Sequence, residues 1–430
     1  MTKRIDVHHV TRVEGHGNIK VRASDGKVES VEWQVPEAPR FFEAMVRGRS
    51  YEDVQTVVSR ICGICSVTHS LAAIKAVEDA LGIEVSEQTD KLRILTHYAE
   101  QLESHSLHVG YLVAPDLLGV KSVVPLVASH PEEVKTIIRI HRLANSGMEL
   151  LAGRITHPMT FRPGGFSKLP TAEQLLDLRG RMQAIIPDLK AVAALIQALA
   201  HKLPAFERPT EYVALVEPGV YTFYHGQVGS TDCKGTVPVQ QFESVVNEYV
   251  SPQSTSKWCK WHRDTYAVGA LARFNLNADQ LLPLAKATAQ MLGLKKGACN
   301  PYLNSVVQVV ECVQVVEHSL QLIDELLTAG IKPEKAQAQV RAGNGAGAVE
   351  APRGILFHRY QFDERGRCTG ANLCIPTGQN HANIQRDFEE FVPQIIDRPQ
   401  EEIRLLLEML VRSYDPCISC STHYLDVEFV

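Results

Sequence analysis

Apolar residues recur at helical spacing along most of this chain. One set, Val67, Leu71, Ile74, Val77 and Leu81, lies on a single helical face, which is typical of an amphipathic helix. The same periodicity predicts further helices over 88–113, 131–155, 171–202, 279–293, 302–329 and 399–413. We therefore expect a core built mainly from long helices.

Strand-like alternation is confined to the two ends of the chain. Residues 4–35 predict a β-meander, and residues 352–380 predict a second hairpin before the final helix. The stretch 204–260 is irregular and rich in Pro, Gly, Ser and Thr, so it is predicted as a surface excursion or small subdomain. The glycine-rich run 343–347 lacks the Lys-Ser/Thr of a phosphate loop and is not expected to bind a nucleotide. The predicted fold class is α+β and mainly helical, with a long-helix core, small N-terminal and C-terminal hairpin sheets, and a single domain over 1–430.

Composition and charge narrow the class of protein. With 45% hydrophobic and 22% charged residues, the chain has the composition of a soluble globular protein. Its net charge of −5 gives no basic surface for nucleic acid or an anionic membrane. The N-terminus has no apolar signal core, and no run of 18 apolar residues occurs. We expect a cytoplasmic protein without a membrane segment.

The chain's ten cysteines are too irregularly spaced for a secreted disulfide framework. Four of them form two Cys-x-x-Cys pairs, Cys62 with Cys65 and Cys417 with Cys420. The others stand alone in the sequence and are expected to be buried or inert thiols: Cys233, Cys259, Cys299, Cys312, Cys368 and Cys374. The two pairs therefore become the candidates for chemistry.

Four thiolates from these pairs suit zinc, an iron–sulfur cluster, or nickel with iron. Spacing alone makes structural zinc the default interpretation. Several features favour other chemistry, since the pairs come from opposite ends of the chain and border apolar helices. Each pair is also followed by a histidine, His69 or His423, and Asp415 precedes the second pair. The first pair adjoins a predicted helix N-terminus, where the helix dipole favours a thiolate over a thiol.

The residues around the pairs make the pattern specific. Four segments occur in order along the chain: Thr-Arg-Val-Glu-Gly-His at 11–16, Arg-Ile-Cys-Gly-Ile-Cys at 60–65, Glu-Ala-Pro-Arg-Gly at 350–354, and Asp-Pro-Cys-Ile-Ser-Cys-Ser-Thr-His at 415–423. Together they resemble the large, catalytic subunit of nickel–iron hydrogenases. The resemblance spans nearly the whole chain and implies reversible oxidation of hydrogen to protons and electrons.

The resemblance implies a bimetallic centre. By similarity, Cys62, Cys65, Cys417 and Cys420 bind nickel, and Cys65 and Cys420 also bridge to an iron. That iron carries carbon monoxide and cyanide ligands in the family. Hydrogen is split heterolytically at such a centre, and its electrons leave through a partner subunit.

The resemblance also assigns roles around the centre. Cys417 takes the first proton and Glu14 passes it on. Arg353 donates hydrogen bonds towards cyanide, beside Pro352 in the same motif. The remaining roles are Asp116 and Asp415 as acids around Arg353, Thr377 as a hydrogen-bond donor to cyanide, and His69 as a partner of a bridging sulfur.

An outer metal and a processing point are implied at the C-terminus. Glu43 and His423 resemble ligands of an outer magnesium or iron ion. In most of the family an endopeptidase cuts just after the histidine that corresponds to His423. Here residues 424–430 follow it, and an uncut tail would keep His423 from its mature position at the outer metal.

No cysteine motif remains for a relay of iron–sulfur clusters. The resemblance therefore implies an obligate iron–sulfur small subunit, with further electron-transfer subunits. Three alternatives stay open from the sequence: a hydrogen sensor that signals through a kinase, a structural zinc scaffold, and a relative of the quinone-site subunit of respiratory complex I. The last of these has lost the nickel cysteines, whereas all four are present here.

Overall fold

The computed structural model describes residues 2–334 and 339–422. His423 and the tail at 424–430, both named above, lie outside the described residues. The described strands are β1 (Thr2–Val7), β2 (Asn18–Ser24), β3 (Lys27–Gln34), β4 (Phe161–Arg162), β5 (Gly165–Phe166), β6 (Glu211–Val216), β7 (Gln227–Ser230), β8 (Thr236–Val237), β9 (Tyr266–Ala267), β10 (Gly343–Ala351), β11 (Gly354–Phe362) and β12 (Cys368–Cys374). They form small sheets with the orders β1-β2-β3, β10-β11-β12, β4-β5 and β8-β7-β6-β9.

Helices make up the larger part of the fold. They are α1 (Phe42–Val46), α2 (Tyr51–Val58), α3 (Ser66–Leu81), α4 (Glu87–Leu107), α5 (Ala114–Leu117), α6 (Leu126–Ser129), α7 (Pro131–Ala152), α8 (Ala172–Ala184), α9 (Ile186–Leu199), α10 (Glu243–Val246), α11 (Ala270–Asn277), α12 (Pro283–Met291), α13 (Leu303–Ala329), α14 (Pro376–Ile395), α15 (Gln400–Ser413) and α16 (Ile418–Ser421). The mainly helical α+β class and the two terminal sheets are confirmed.

The long predicted helices are present, with two differences. The stretch 88–113 is α4 followed by a π-helical segment, His108–Val113. The stretch 171–202 is two helices, because Pro187 in the first turn of α9 cannot continue the hydrogen bonding of α8. The 20-residue α14 was missed, since residues 376–380 were assigned to the C-terminal hairpin.

The glycine-rich run is a strand pressed against a helix. It lies at the start of β10, which pairs with β11 along its full length and completes a three-stranded sheet. A Cβ on Gly345 would lie 2.2 Å from the backbone nitrogen of Ala80 in α3, and one on Gly347 would lie 2.5 Å from the carbonyl oxygen of Ala72. These glycines therefore allow the sheet to approach the helix backbone, and α3 carries the first cysteine pair at its N-terminus.

The region 204–260 is less peripheral than its composition suggested. Strand β6 is buried along nearly all of its length and pairs with β7 on one side and, in parallel, with β9 on the other. Its side chains join an apolar cluster with the C-terminal sheet, including Val213, Leu215, Ile355 and Phe357. The prediction of a surface excursion is wrong for β6. A strand that is buried on both faces carries apolar residues on both, so it lacks the alternation of polar and apolar residues that reveals a strand in a sequence.

Two stretches of the described chain have the length and hydropathy of a membrane span. Leu303–Ala329 has a mean hydropathy of 1.2 over its most apolar window, and 78% of that window is buried inside the fold. Ala172–Lys202 reaches a mean hydropathy of 1.3 with 22% of its window buried. The first is the long core helix α13, and the second is interrupted between α8 and α9.

A buried histidine on α14 makes stability depend on pH. The Trp33 indole N–H donates to His381 Nδ1 at 3.1 Å, and burial lowers the pKa of His381 to about 3. The buried imidazole resists protonation, whereas His381 in the unfolded chain takes up a proton near pH 6.5. The contribution of neutral His381 to the free energy of unfolding is therefore present above about pH 6.5 and is lost as the pH falls towards 3. In calorimetry, we expect Tm to fall less steeply between pH 6.5 and 5 in His381→Asn than in wild type. The exposed control His201→Asn should keep the wild-type slope, and identical slopes for both variants would contradict this assignment.

Candidate metal centre

The first cysteine pair lies where α3 begins. Cys62 follows a 3₁₀ turn, and Cys65 is the residue immediately before the helix. The backbone N–H groups of Ile64 and Cys65 donate to Cys62 Sγ at 3.3 and 3.2 Å. Hydrogen bonding from Cys65 and the nearby Arg353 cation lower the pKa of Cys62 to about 7, against the opposing effect of burial. The loop therefore favours a thiolate at Cys62.

The second pair lies at α16, shortly after α15: Cys417 immediately precedes the helix and Cys420 lies within it. The backbone N–H of Cys417 donates to Thr377 Oγ1 at 3.0 Å, which ties this loop to the first turn of α14. A parallel β-bridge joins Cys417 to Glu14 near the N-terminus. Both ends of the chain thus meet at this cysteine.

All four cysteines come together in the interior. Their sulfurs lie within 4.8 Å of one another, and the sulfurs of Cys62 and Cys417, 355 positions apart, are separated by 3.6 Å. Each side chain is at most 6% exposed. The sulfurs of Cys417 and Cys420 are in direct contact with each other. The predicted closure of the site by the two chain ends is present.

An arginine with unused donors lies beside the sulfurs. Arg353 is in the turn between β10 and β11, 3% exposed, and its Nη2 donates to Asp415 Oδ1 at 3.0 Å. Gln308 Nε2 donates to the other oxygen of Asp415 at 3.1 Å. Among the described residues, Nε and Nη1 of Arg353 have no hydrogen-bond partner. Since buried donors are nearly always paired, these two point to an acceptor that belongs to a bound group.

Glu14 contacts the second cysteine loop through both its backbone and its side chain. Its carbonyl oxygen accepts the N–H of Ile418 at 3.0 Å, and its Oε2 accepts the N–H of Ser419 at 3.1 Å. Glu14 is also partly exposed. Its carboxyl group therefore connects the cysteine loop with the surface.

Three further residues that the sequence predicted for the site each contact a different kind of partner. His69 Nδ1 lies 3.3 Å from His358 Nε2, and Glu43 Oε1 accepts the N–H of Leu373 at 2.8 Å. Asp116 forms ion pairs with Arg12 and Arg412, the latter at 2.7 Å. Asp116 therefore pairs with arginines other than Arg353. Among the described residues, the acidic partner of Arg353 is Asp415.

A buried glutamate that the sequence analysis did not single out caps α3. Glu100 accepts the backbone N–H groups of Val67 and Thr68 at 2.6 and 2.9 Å, and it also bonds the Thr68 hydroxyl. Burial raises the pKa of Glu100 to about 8. It lies within α4, and a glutamate in an amphipathic helix gives no sequence signal for a contact 32 positions away.

A second missed residue joins the two cysteine loops. Arg40 Nη2 donates to the carbonyl oxygen of Ile61 at 2.7 Å and also to that of Ser419. Ile61 immediately precedes Cys62, and Ser419 immediately precedes Cys420. One guanidinium therefore fixes the separation of the two loops.

A buried ion-pair network holds the turn that carries Arg353. Arg273 donates to both oxygens of Glu311 at 2.7 and 2.6 Å and to Glu350 at 3.0 Å. It also donates to the carbonyl oxygens of Ala351 and Pro352 at 3.0 and 3.1 Å. The guanidinium holds the pKa of Glu311 at about 2, whereas burial raises the pKa of Glu350 to about 7. The main ion pair is thus Arg273 with Glu311.

Removal of this cation tests its structural role. We expect Arg273→Met to destabilise the chain by about 3–5 kcal/mol in urea unfolding, because it leaves Glu311 buried without its cation. The matched control is Arg179→Met, which breaks a similar fork to Asp324 at the surface. The control should unfold near the wild-type midpoint, since exposed ion pairs contribute little. Equal midpoints for both variants would contradict the role of Arg273.

Family comparison agrees with this geometry. A family model described as nickel-dependent hydrogenase matches residues 40–156 and 208–423, and one described as HoxL-like matches residues 4–38. Sulfhydrogenase 1 subunit alpha of Pyrococcus furiosus is 32% identical over 422 residues, covering 97% of both chains. The NAD-reducing hydrogenase HoxS subunit beta of Cupriavidus necator is 28% identical and covers 99% of this chain and 96% of its own.

Solved structures share the fold. A crystal structure of an NAD⁺-reducing [NiFe]-hydrogenase in the H₂-reduced state superposes with a TM-score of 0.88 at 28% identity, covering 98% of this chain and 99% of that one. The Ni-Fe-Se hydrogenase of D. vulgaris Hildenborough gives a TM-score of 0.77 at 21% identity and covers 98% and 100%. At that lower identity, the second likeness concerns the fold alone.

Proposed function

Since this chain belongs to the nickel-dependent hydrogenase family, as the catalytic large subunit of a [NiFe] hydrogenase, we propose that Cys62, Cys65, Cys417 and Cys420 hold its nickel–iron centre. Of these four, Cys65 and Cys420 would hold the iron as well as the nickel. The observation that carries this assignment is the convergence of four buried sulfurs within 4.8 Å from the two ends of the chain. Membership of a nickel-dependent family favours nickel over the structural-zinc alternative.

The residues around the sulfurs fit such a centre. Soft thiolates suit nickel and iron, and the two unpaired N–H groups of Arg353 match acceptors on the iron, for which we propose cyanide beside carbon monoxide. Pro352 shapes the same turn, and Thr377 and His69 lie near the cysteine loops as further cofactor contacts. When bound, the centre supplies the heterolytic cleavage of hydrogen into protons and electrons.

The protein's own contribution is to move protons and hold charge. Cys417 is positioned as the first proton acceptor, and Glu14 receives the proton because its backbone and carboxylate both contact the Cys417–Cys420 loop. Partial exposure of Glu14 lets the proton continue towards solvent. Asp415 orients Arg353, whereas Asp116 pairs with Arg412.

Substitution of the arginine tests the role of its planar fork. We expect Arg353→Lys to keep nickel and iron but to lower hydrogen turnover by about 100-fold, because an ammonium cannot replace two fixed N–H donors. The control is Arg359→Lys on β11, the strand that follows the Arg353 turn, where the fork pairs with Glu243 near the surface. A normal rate in Arg353→Lys would assign this residue to structure instead.

The chain also has features for further partners and a further ion. Glu43, with His423, is proposed to bind an outer magnesium or iron ion. Electrons require an iron–sulfur small subunit as obligate partner, and further electron-transfer subunits complete the complex; the relatives' names as subunits alpha, beta and A agree with such assemblies. We infer a single large-subunit domain over 1–430 that acts in the cytoplasm.

Infrared spectroscopy of the purified protein gives the decisive test. We expect bands from carbon monoxide and cyanide bound to iron, together with both nickel and iron by metal analysis. Zinc without nickel or iron, and no such bands, would overturn the assignment. Hydrogen turnover distinguishes an enzyme from a hydrogen sensor, which has the same bands but slow turnover and binds a kinase.

A further inference from the structure

Two cysteines that stand alone in the sequence meet beside a glutamate in the fold. The ligand atoms of Glu248, Cys259 and Cys374 all lie within 4.8 Å of one another. Cys259 and Cys374 are 0% and 1% exposed, whereas Glu248 is partly exposed. We propose that these three side chains form a second metal site, which binds a zinc-like divalent cation.

The backbone fixes two of the three ligands relative to each other. An antiparallel bridge joins Tyr249 to Trp258 through reciprocal hydrogen bonds of 2.8 Å. Glu248 precedes the first of these residues and Cys259 follows the second, so the pairing sets them opposite each other. Cys374 is the last residue of β12. The three ligands therefore come from two segments far apart in sequence and are already in place.

Charge and ligand type favour a borderline or soft cation. Two thiolates select zinc over magnesium or calcium, which prefer oxygen ligands. Lys257 Nζ donates to Glu248 Oε2 at 2.6 Å, which orients the carboxylate as hydrogen-bonded metal ligands usually are. Two thiolates and one carboxylate carry three negative charges, and a divalent cation together with Lys257 balances them. Water would complete a tetrahedral shell.

The ligands of this site differ from those of the metals considered above. It shares no ligand with the four-cysteine centre or with the outer ion assigned to Glu43 and His423. A cation here would tie the segment after α10 to the junction of β12 and α14. Thr377, three residues after Cys374, accepts the N–H of Cys417 at 3.0 Å, so the second site braces an element that contacts the main centre.

X-ray absorption at the zinc edge tests the site in the intact holoenzyme. The enzyme is treated with a thiol-reducing phosphine and a chelator, shown by metal analysis to retain nickel and iron, and then dialysed against Zn²⁺. We expect one zinc per chain, with two sulfurs at about 2.3 Å and lighter ligands at about 2.0–2.2 Å. A shell of four sulfurs would place zinc in the nickel site and overturn the proposal, as would the absence of bound zinc.

Variants identify the ligands. We expect Cys259→Ala and Cys374→Ala each to weaken zinc binding by at least about 100-fold, and the partly exposed Glu248→Gln by at least about 10-fold. The control is Cys312→Ala, a buried thiol on α13, which should bind zinc like wild type. Should a cysteine variant fail to fold, Glu248→Gln decides the matter. Wild-type affinity in Glu248→Gln, or in both cysteine variants, would overturn the site.

Discussion

Replacement of Glu14 by glutamine is expected to leave nickel and iron in place but to lower proton–deuterium exchange by about 10²–10⁴-fold. The amide oxygen can still accept the N–H of Ser419, as Glu14 Oε2 does at 3.1 Å, so the cysteine loop should keep its shape. What is lost is the group that takes up and releases a proton, and removal of a positioned acid–base group costs a factor of this size. Exchange between deuterium gas and water, measured by mass spectrometry, gives the rate.

Glu37 provides the matched control for this experiment. Its Oε2 accepts the N–H of His16 at 2.8 Å, so it too is a carboxylate bonded to the backbone of the N-terminal segment. Among the described residues, the hydrogen bond of its carboxylate is with that segment, whereas the carboxylate of Glu14 bonds to Ser419 in the cysteine loop. Glu37→Gln should therefore exchange at nearly the wild-type rate. Unchanged exchange in Glu14→Gln would remove Glu14 from the proton route.

Replacement of Cys62 by serine is expected to yield a protein with nickel below about one tenth of the wild-type content and no hydrogen turnover. A serine hydroxyl is a hard, protonated group at neutral pH, whereas soft metals require a thiolate. The site also lowers the pKa of Cys62 to about 7, so its replacement removes a ligand that is already prepared as a thiolate. Metal analysis of the purified variant measures the effect.

Cys312→Ser controls for the loss of any buried thiol. Cys312 is 6% exposed on α13, outside the four-cysteine cluster, and its replacement should leave nickel content unchanged. If Cys62→Ser retained full nickel, the ligand set proposed above would be wrong. If both variants lost nickel equally, the loss would reflect general instability of the fold.

The periodic signals of the sequence were reliable where one pattern dominated a segment. Helical spacing of apolar residues predicted the long helices α7 and α13, and alternation of polar and apolar residues predicted the N-terminal meander. Burial of the apolar residues in each element explains these patterns. Helix α14 was missed because it is buried along much of its surface and its first two turns are rich in polar residues such as Gln379, Asn380 and His381. Their partners lie on other elements, for example the carbonyl oxygen of Ile355 for Gln379.

Glycines conceal a strand in a different way. The composition of 343–347 predicts no strand, because glycine has low strand propensity and is common in loops. In the fold it is the strand β10, and the missing side chains are what allow α3 to approach its backbone. A single sequence does not contain the position of α3 and so cannot distinguish these two uses of glycine.

By itself the sequence determined the chemistry of the main centre: which residues carry sulfur, their spacing in each pair, and the order of the motifs that identify the family. Only the tertiary structure decided how those residues are held, through Arg40 between the two loops, Glu100 at the start of α3 and Arg273 behind the Arg353 turn. It also brought Cys259 to Cys374, two residues with no motif around them. The physical reason is that ligand type and spacing are local properties of the chain, whereas a buried charge or thiol acquires its role from partners that folding brings within a few ångströms.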